Sequence, residues 1–167
     1  WELVWGFRDL AKIYSDIEKY FGVLDFEVKV KDTAKPKKIK EIKGEIEYKD
    51  VNFAYEAKQE EAVKKINLKI REGQSVALVG RSGAGKTTLV KLLMRFYDVD
   101  KGKITIDGVN LRDLRKSDLR SYMGVVPQEP VLFNNSLEYN IAYGKDKVTK
   151  KEIVAAAKLA RIHDFIE

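Results

Sequence analysis

The sequence predicts an α/β fold preceded by a separate helix, and three features of the 167-residue chain support this. Residues 1–24 carry apolar side chains at intervals of three and four, which is typical of an amphipathic helix. From Gly44 onward, short alternating or continuous apolar runs indicate β-strands. One such run, 75–79, leads into a glycine-rich turn and then an apolar helix.

The composition is that of a globular chain, with 44% hydrophobic and 35% charged residues. The absence of cysteine excludes disulfides and cysteine metal sites. The net charge of +6 favours anionic partners, although much of it comes from one lysine-rich run that is also typical of a solvated linker. No apolar run approaches the roughly 18 residues of a membrane span.

Residues 1–24 form the first predicted element, a helix with an apolar seam on one face. The seam contains Leu3, Phe7, Leu10, Tyr14, Ile17 and Phe21. Two interpretations are open: the seam packs on the chain's own domain, or the helix is the end of a longer helix that packs against a neighbour. Residues 25–43, rich in lysine around Pro36, have the composition of a linker.

Residues 44–167 follow an α/β pattern. The apolar residues alternate in one phase over 46–48 and in the other over 51–55, which predicts two short strands with a bulge or break at Lys49–Asp50. Residues 66–70 predict a half-exposed strand. Residues 75–79 and 124–128 are more continuously apolar, which predicts strands buried on both faces.

Turn and capping residues mark the ends of the later elements. The sequence GKITIDG, 102–108, predicts a short strand closed by an Asp-Gly turn. Ser117 is the predicted N-cap of a short helix. Thr149 and Glu152 have the spacing of a capping box that opens the next helix.

Residues 80–87 match the phosphate-binding loop pattern G-x-x-x-x-G-K-[ST]. Its glycines permit positive φ and a close approach of the backbone to a ligand, and consecutive N–H groups form an anion-binding nest at a helix start. Lys86 would place a charge against the terminal phosphates, and the Thr87 hydroxyl can ligate Mg²⁺. The loop predicts a nucleoside triphosphate with Mg²⁺, but no particular reaction. Its predicted binding residues are Gly80, Arg81, Ser82, Gly83, Ala84, Gly85, Lys86, Thr87 and Thr88.

Further segments around this loop resemble the ATP-binding domain of ABC transporters, in particular exporters whose ATPase domain follows a membrane domain. They are VNFAYE with Tyr55, GKITIDG at 102–108, and VVPQEPVLFNNSLEYNIAYG at 125–144 with Gln128. Their order is specific to the family, whereas many NTPases share the loop, and the resemblance covers essentially the whole chain. The implied fold is a partial P-loop NTPase core of the ABC ATPase type, with an N-terminal helix and antiparallel β entry strands.

The resemblance implies ATP and Mg²⁺ as cofactors and gives roles to individual positions. Tyr55 corresponds to the aromatic residue that stacks on adenine. Gln128 corresponds to the glutamine that reaches Mg²⁺ and the attacking water and links the ATP state to the membrane domain. Lys86 and Gln128 are therefore the expected catalytic residues, and Thr87 and Gln128 the expected metal ligands.

The resemblance also implies an organisation and partners. Residues 1–24 would continue from the last membrane-spanning segment, 25–43 would be the linker, and 44–167 the N-terminal part of the ATP-binding domain. The expected partners are a second ATPase domain in a head-to-tail dimer, the transmembrane domain of the same transporter, and a transported substrate that the sequence does not identify. We expect membrane association, with the ATPase domain on the cytoplasmic face, or the matrix side in an organelle, and no nucleic acid.

Several family elements have no counterpart in the sequence: the L-S-G-G-Q signature, the acidic strand ending in Asp-Glu, and the switch histidine. His163, the only histidine, precedes the expected signature position and is interpreted as structural or surface. We therefore expect a chain truncated before the signature, which binds ATP without hydrolysing it, whereas the full-length protein would hydrolyse ATP.

Three other functions were compatible with parts of the pattern. A soluble ABC ATPase acting on nucleic acid would share the loop, but the helix and linker at 1–43 argue against it. A non-catalytic module could bind nucleotide as a structural ligand. If the chain were a P-loop kinase, the match of Tyr55 and Gln128 to the ABC transporter pattern would be a coincidence. No site for an acceptor substrate is evident.

Overall fold

The computed structural model describes residues 1–24, 28–56 and 61–166, and it divides into two compact units, 1–124 and 125–167. The first unit contains α1 (Glu2–Leu24), β1 (Ile46–Ala54), β2 (Glu61–Ile70), α2 (Lys86–Leu93), β3 (Lys101–Ile106), β4 (Val109–Asn110), a 3₁₀ turn (Leu111–Asp113) and α3 (Lys116–Ser121). The second contains α4 (Leu137–Ala142), α5 (Lys150–Leu159) and α6 (His163–Ile166). Residues 25–27 of the predicted linker lie outside the described residues.

The sheet of the first unit is antiparallel, with strand order β2–β1–β3–β4. Ile46 of the central strand β1 lies opposite Ile70 of β2 on one side and Ile106 of β3 on the other. The antiparallel entry strands are therefore confirmed. The sheet and its covering helices bury one hydrophobic core, formed by Tyr48, Val51, Phe53, Val63, Leu92, Val99, Ile104, Ile106, Leu111, Leu114 and Leu119.

Strand β1 is continuous, with a bulge at the predicted change of phase rather than a break between two strands. Its register with both neighbours shifts around Lys49 and Asp50, and Asp50 adopts a φ of 48°. Gly102 of β3 lies directly against this bulge, where a Cβ atom would be 2.3 Å from the carbonyl oxygens of both residues. Only glycine lets β3 approach β1 this closely.

The predicted Asp107–Gly108 turn joins β3 to β4, and both residues have positive φ, 49° and 76°. The Asp107 carboxylate accepts backbone N–H bonds from Lys43 at 2.9 Å, Gly44 at 3.2 Å and Glu45 at 2.9 Å. Desolvation raises the pKa of Asp107, but these bonds and the charge of Lys43 outweigh it and hold the pKa below its ordinary value. The end of the lysine-rich segment is thereby fixed to the sheet.

The described part of the lysine-rich segment, 28–43, lies outside the named helices and strands and is bonded to the core through Arg95. The Arg95 side chain is only 3% exposed. It donates hydrogen bonds to the carbonyl oxygens of Leu114 at 2.8 Å and Lys31 at 3.0 Å, and it pairs with Asp98 at 3.1 Å. The segment from residue 28 to β1 is therefore part of the folded unit rather than a freely solvated connection.

The two buried strands predicted at 75–79 and 124–128 do not form. Neither run pairs with any strand of the described residues, and Val79 and Val126 are 90% and 95% exposed. A strand buried on both faces needs hydrogen-bonded neighbours. Within the described ranges, the four-stranded antiparallel sheet provides none for these runs.

Of the two predicted helix starts, one is wrong and one is confirmed. Helix α3 begins at Lys116, one residue before Ser117, so Arg115 takes the N-cap position. Helix α5 has the predicted capping box between Thr149 and Glu152. Hydrogen bonds from Lys145, and then from Thr149, lower the pKa of Glu152 to about 2.

Helix α1 leaves its apolar seam open. Leu10, Tyr14, Ile17 and Phe21 are between 46% and 71% exposed, so these seam residues do not pack on the chain's own domain. This exposure favours the interpretation in which the seam meets a neighbour. Among the described helices, none is both long and apolar enough to cross a membrane.

The buried contacts of Arg95 predict that Arg95→Ala lowers the free energy of unfolding by about 3 kcal/mol, because the change removes a buried guanidinium with its partly buried ion pair and leaves two carbonyl groups without their donor. The matched control is Arg71→Ala, since Arg71 is exposed. Chemical denaturation measures both variants. Equal stabilities for the two variants would show that Arg95 does not hold the segment to the core.

Candidate functional site

The glycine-rich loop has the backbone conformation that its sequence predicts. Gly83 and Gly85 adopt φ values of 83° and 82°, and Gly80 adopts 156°. A turn between them is closed by the Ala84 N–H donating to the Arg81 carbonyl at 3.2 Å. The loop therefore folds back on itself immediately before α2.

Gly85 holds the end of the loop against strand β2. A Cβ atom at this position would lie 2.6 Å from the Ala62 carbonyl oxygen and 3.4 Å from Val63 Cγ2. Gly83, by contrast, faces open space, with nothing within 4 Å of the corresponding position. One side of the loop is thus packed on the sheet and the other is free for a ligand.

Helix α2 begins at Lys86 with Gly85 as its N-cap, and no side chain caps it. No acidic residue lies in its first turn. The N–H groups of a helix's first turn have no partner within the helix, and the helix dipole adds partial positive charge there. The start of α2 therefore suits an anion.

Lys86 turns its ammonium back over the loop. Its Nζ donates to the carbonyl oxygens of Gly80 at 2.7 Å and Arg81 at 2.8 Å. The charge is held within the loop by two neutral acceptors, both of which an anionic ligand could replace.

Thr87 and Thr88 face different surroundings. Thr87 is exposed, whereas Thr88 is 7% exposed. The hydroxyls of Thr88 and Tyr55 share a hydrogen bond of 3.2 Å. This bond brings the predicted base-stacking residue and the predicted phosphate loop to the same place.

A pocket of about 340 Å³ lies where they meet. It is lined by Tyr55, Glu61, Ala62, Ser82, Gly83, Gly85, Lys86, Thr87 and Thr88. Of the predicted residues, Gly80, Arg81 and Ala84 shape the loop without lining this pocket. Glu61 and Ala62 line it without having been predicted, because nothing in their sequence pattern distinguishes them from other strand residues.

Tyr55 follows β1 and is half-buried between two other rings. Its ring centroid lies 4.9 Å from that of Phe53 and 5.2 Å from that of Tyr97, both edge to face. Tyr97, in the loop after α2, was not predicted as a site residue, because its proximity to Tyr55 depends on tertiary packing alone.

Gln128 belongs to the second unit, where it is exposed in the stretch before α4. Its role at a metal stays a prediction, as does the role of Thr87. Within residues 1–24, 28–56 and 61–166, no cluster of three or more acidic or histidine side chains could hold a metal ion. His163 is half-buried at the start of α6.

The loop, the helix that follows it and the antiparallel entry strands define part of a P-loop NTPase fold. A model of the ABC transporter family matches residues 63–167, and the chain belongs to this family.

Individual relatives include a flippase, an ATP-binding cassette protein and an exporter of known structure. The chain is 47% identical over 148 residues to the ATP-dependent lipid A-core flippase of Haemophilus influenzae, covering 88% of this chain and 25% of the flippase. It is 42% identical over 160 residues to the mouse ATP-binding cassette sub-family B member 6, covering 96% of this chain and 19% of that protein. The structure of a bacterial Atm1-family ABC exporter with ATP bound matches with a TM-score of 0.80 and 37% identity. That match covers 95% of this chain and 28% of the exporter chain, so this chain spans about a quarter of such relatives or less.

The close approach at Gly85 predicts that Gly85→Ala destabilises the chain more than Gly83→Ala. The two glycines have nearly the same φ, so the backbone strain of an alanine is matched, and only at Gly85 does the new methyl group meet a backbone carbonyl. We expect a difference of about 1–3 kcal/mol in the free energy of unfolding, measured by chemical denaturation. Equal losses would show that the loop does not pack on β2 as described.

Proposed function

We propose that this chain is the ATP–Mg²⁺-binding part of an ABC exporter that couples ATP binding and hydrolysis to transport across a membrane. The observation that carries the proposal is that the phosphate loop and Tyr55 line the same pocket. A nucleotide needs both ends of such a site, because its phosphates are anionic and its base is flat and aromatic.

The loop fits the phosphate end of the ligand. Its backbone N–H groups and the start of α2 provide donors, and the open side at Gly83 leaves room for phosphate oxygens. Lys86 would exchange its two carbonyl partners for phosphate, gaining a charge-assisted contact. The residues present therefore fit a triphosphate.

Tyr55 fits the base end. Its ring is held at the edge of the pocket by neighbouring rings and by the hydroxyl of Thr88. Stacking of a base on an aromatic ring is worth roughly 1–3 kcal/mol and requires a ring that is already oriented.

Thr87 is the proposed magnesium ligand in the loop, since its hydroxyl is exposed beside Lys86. Gln128 is the proposed second ligand and would orient the attacking water. Bound Mg²⁺ would neutralise charge on the phosphates during transfer to water.

We propose that transport involves a second ATPase domain, in a head-to-tail dimer, and a transmembrane domain of the same transporter. The proposal is supported by the much greater length of the relatives and by their names as flippase or exporter. It implies membrane association with the ATPase domain on the cytoplasmic face, or the matrix side in an organelle. No observation favours an ATPase acting on nucleic acid.

The experiment is calorimetric titration of the chain with ATP and Mg²⁺, comparing Lys86→Ala with Lys91→Ala. Both lysines lie on α2, but only Lys86 lines the pocket. We expect Lys86→Ala to weaken ATP binding by about tenfold to a hundredfold, because a charge-assisted contact to phosphate is lost. Lys91→Ala should bind like the original chain. Identical affinities for all three proteins would refute the assignment of the loop.

A further inference from the structure

Three aromatic rings form a closed cluster beside the proposed nucleotide pocket. The ring centroids of Phe53, Tyr55 and Tyr97 are 4.9, 5.2 and 5.3 Å apart, so each ring contacts the other two. Edge-to-face rings at these separations attract each other through their quadrupoles. Phe53 lies near the end of β1 and Tyr55 directly follows the strand, whereas Tyr97 lies in the loop after α2.

Tyr97 stands on the outer side of this cluster. It is 39% exposed, and together with Tyr55 it lines a second cavity, of about 610 Å³, which lies away from the phosphate loop. Phe53 is 4% exposed and belongs to the core. Without Tyr97, the Tyr55 ring would keep its contact with Phe53 and lose one of these two ring contacts.

Apart from Phe53 and Tyr97, the restraint on the Tyr55 ring is at its far end. Its hydroxyl is bonded to Thr88, but one hydrogen bond at the tip of a ring does not fix the plane of the ring. The edge-to-face contacts with Phe53 and Tyr97, at interplanar angles of 83° and 88°, together restrain that plane. Stacking of a base depends on this orientation.

The phosphate loop has its own supports. Lys86 bonds to Gly80 and Arg81, and Gly85 packs on Ala62 of β2. Tyr97 takes part in none of these contacts. A change at Tyr97 should therefore affect the base end of the pocket and leave the phosphate end intact.

We propose that Tyr97 is a positioning residue for nucleotide base recognition, which holds the Tyr55 ring in the orientation that stacks on the base. The inference rests on the proposed function, because it assumes that Tyr55 receives the base. It adds a residue outside the pocket as a determinant of affinity for the base.

The test compares two ligands, ATP and inorganic tripolyphosphate, each with Mg²⁺, by calorimetric titration of the 167-residue chain. Tyr97→Leu should weaken ATP binding by about threefold to tenfold, which corresponds to the usual interaction free energy of an aromatic pair. The same variant should change tripolyphosphate binding by less than about twofold. Tyr97→Phe should restore ATP binding, because it keeps the ring. The matched control is Tyr122→Leu, since Tyr122 is also 39% exposed but lines neither the phosphate-loop pocket nor the cavity shared by Tyr55 and Tyr97, and this variant should bind both ligands normally.

A second comparison separates positioning from a general structural role. In the Tyr55→Ala background, Tyr97→Leu should cause no further loss of ATP affinity, because no ring remains to be oriented. A full additional loss there, an equal loss for both ligands, or unchanged ATP binding in Tyr97→Leu would each overturn the inference. If the original chain binds neither ligand, the proposed function fails and this inference fails with it. If it binds both and only the Tyr97 results disagree, the inference alone fails.

Discussion

Two tyrosine hydroxyls hold helix α2 on strand β1, and the position of the phosphate loop depends on them. Tyr48 is buried, which raises the pKa of its hydroxyl, and it donates to the Leu89 carbonyl at 3.1 Å. Tyr55 shares a hydrogen bond with Thr88 one residue earlier on the same helix. Strand β1 is paired on both edges, so it is a rigid support. The two hydrogen bonds fix the position of α2 relative to this strand. The distance between the loop and the Tyr55 ring follows from this packing.

Structural features that depend on residues close together in the sequence could be predicted from the sequence. The conformation of the loop, the Asp107–Gly108 turn and the capping box at Thr149 are all as expected, since each is determined by side chains and φ preferences within a few positions. The bulge in β1 is also local, because it follows from the change of apolar phase at Lys49. The importance of Tyr55 came from the family resemblance rather than from any local pattern.

Features that depend on distant partners could not be predicted. The apolar runs at 75–79 and 124–128 indicate a preference for burial, but they do not say which strand would pair with them, and the described sheet contains no such strand. Arg95 resembles any surface cation in the sequence, yet it is buried where the segment before β1 supplies the Lys31 carbonyl as an acceptor. Tyr97 reaches Tyr55 only through the packing of α2 on β1.

The central claim is that one bound ATP molecule occupies the loop with its phosphates and lies on Tyr55 with its base. The most direct measurement is an isotope-filtered nuclear Overhauser experiment between unlabelled ATP–Mg²⁺ and the labelled chain. We expect contacts from the adenine ring hydrogens to the ring hydrogens of Tyr55. Tight binding of ATP with adenine contacts only to other side chains would contradict this claim.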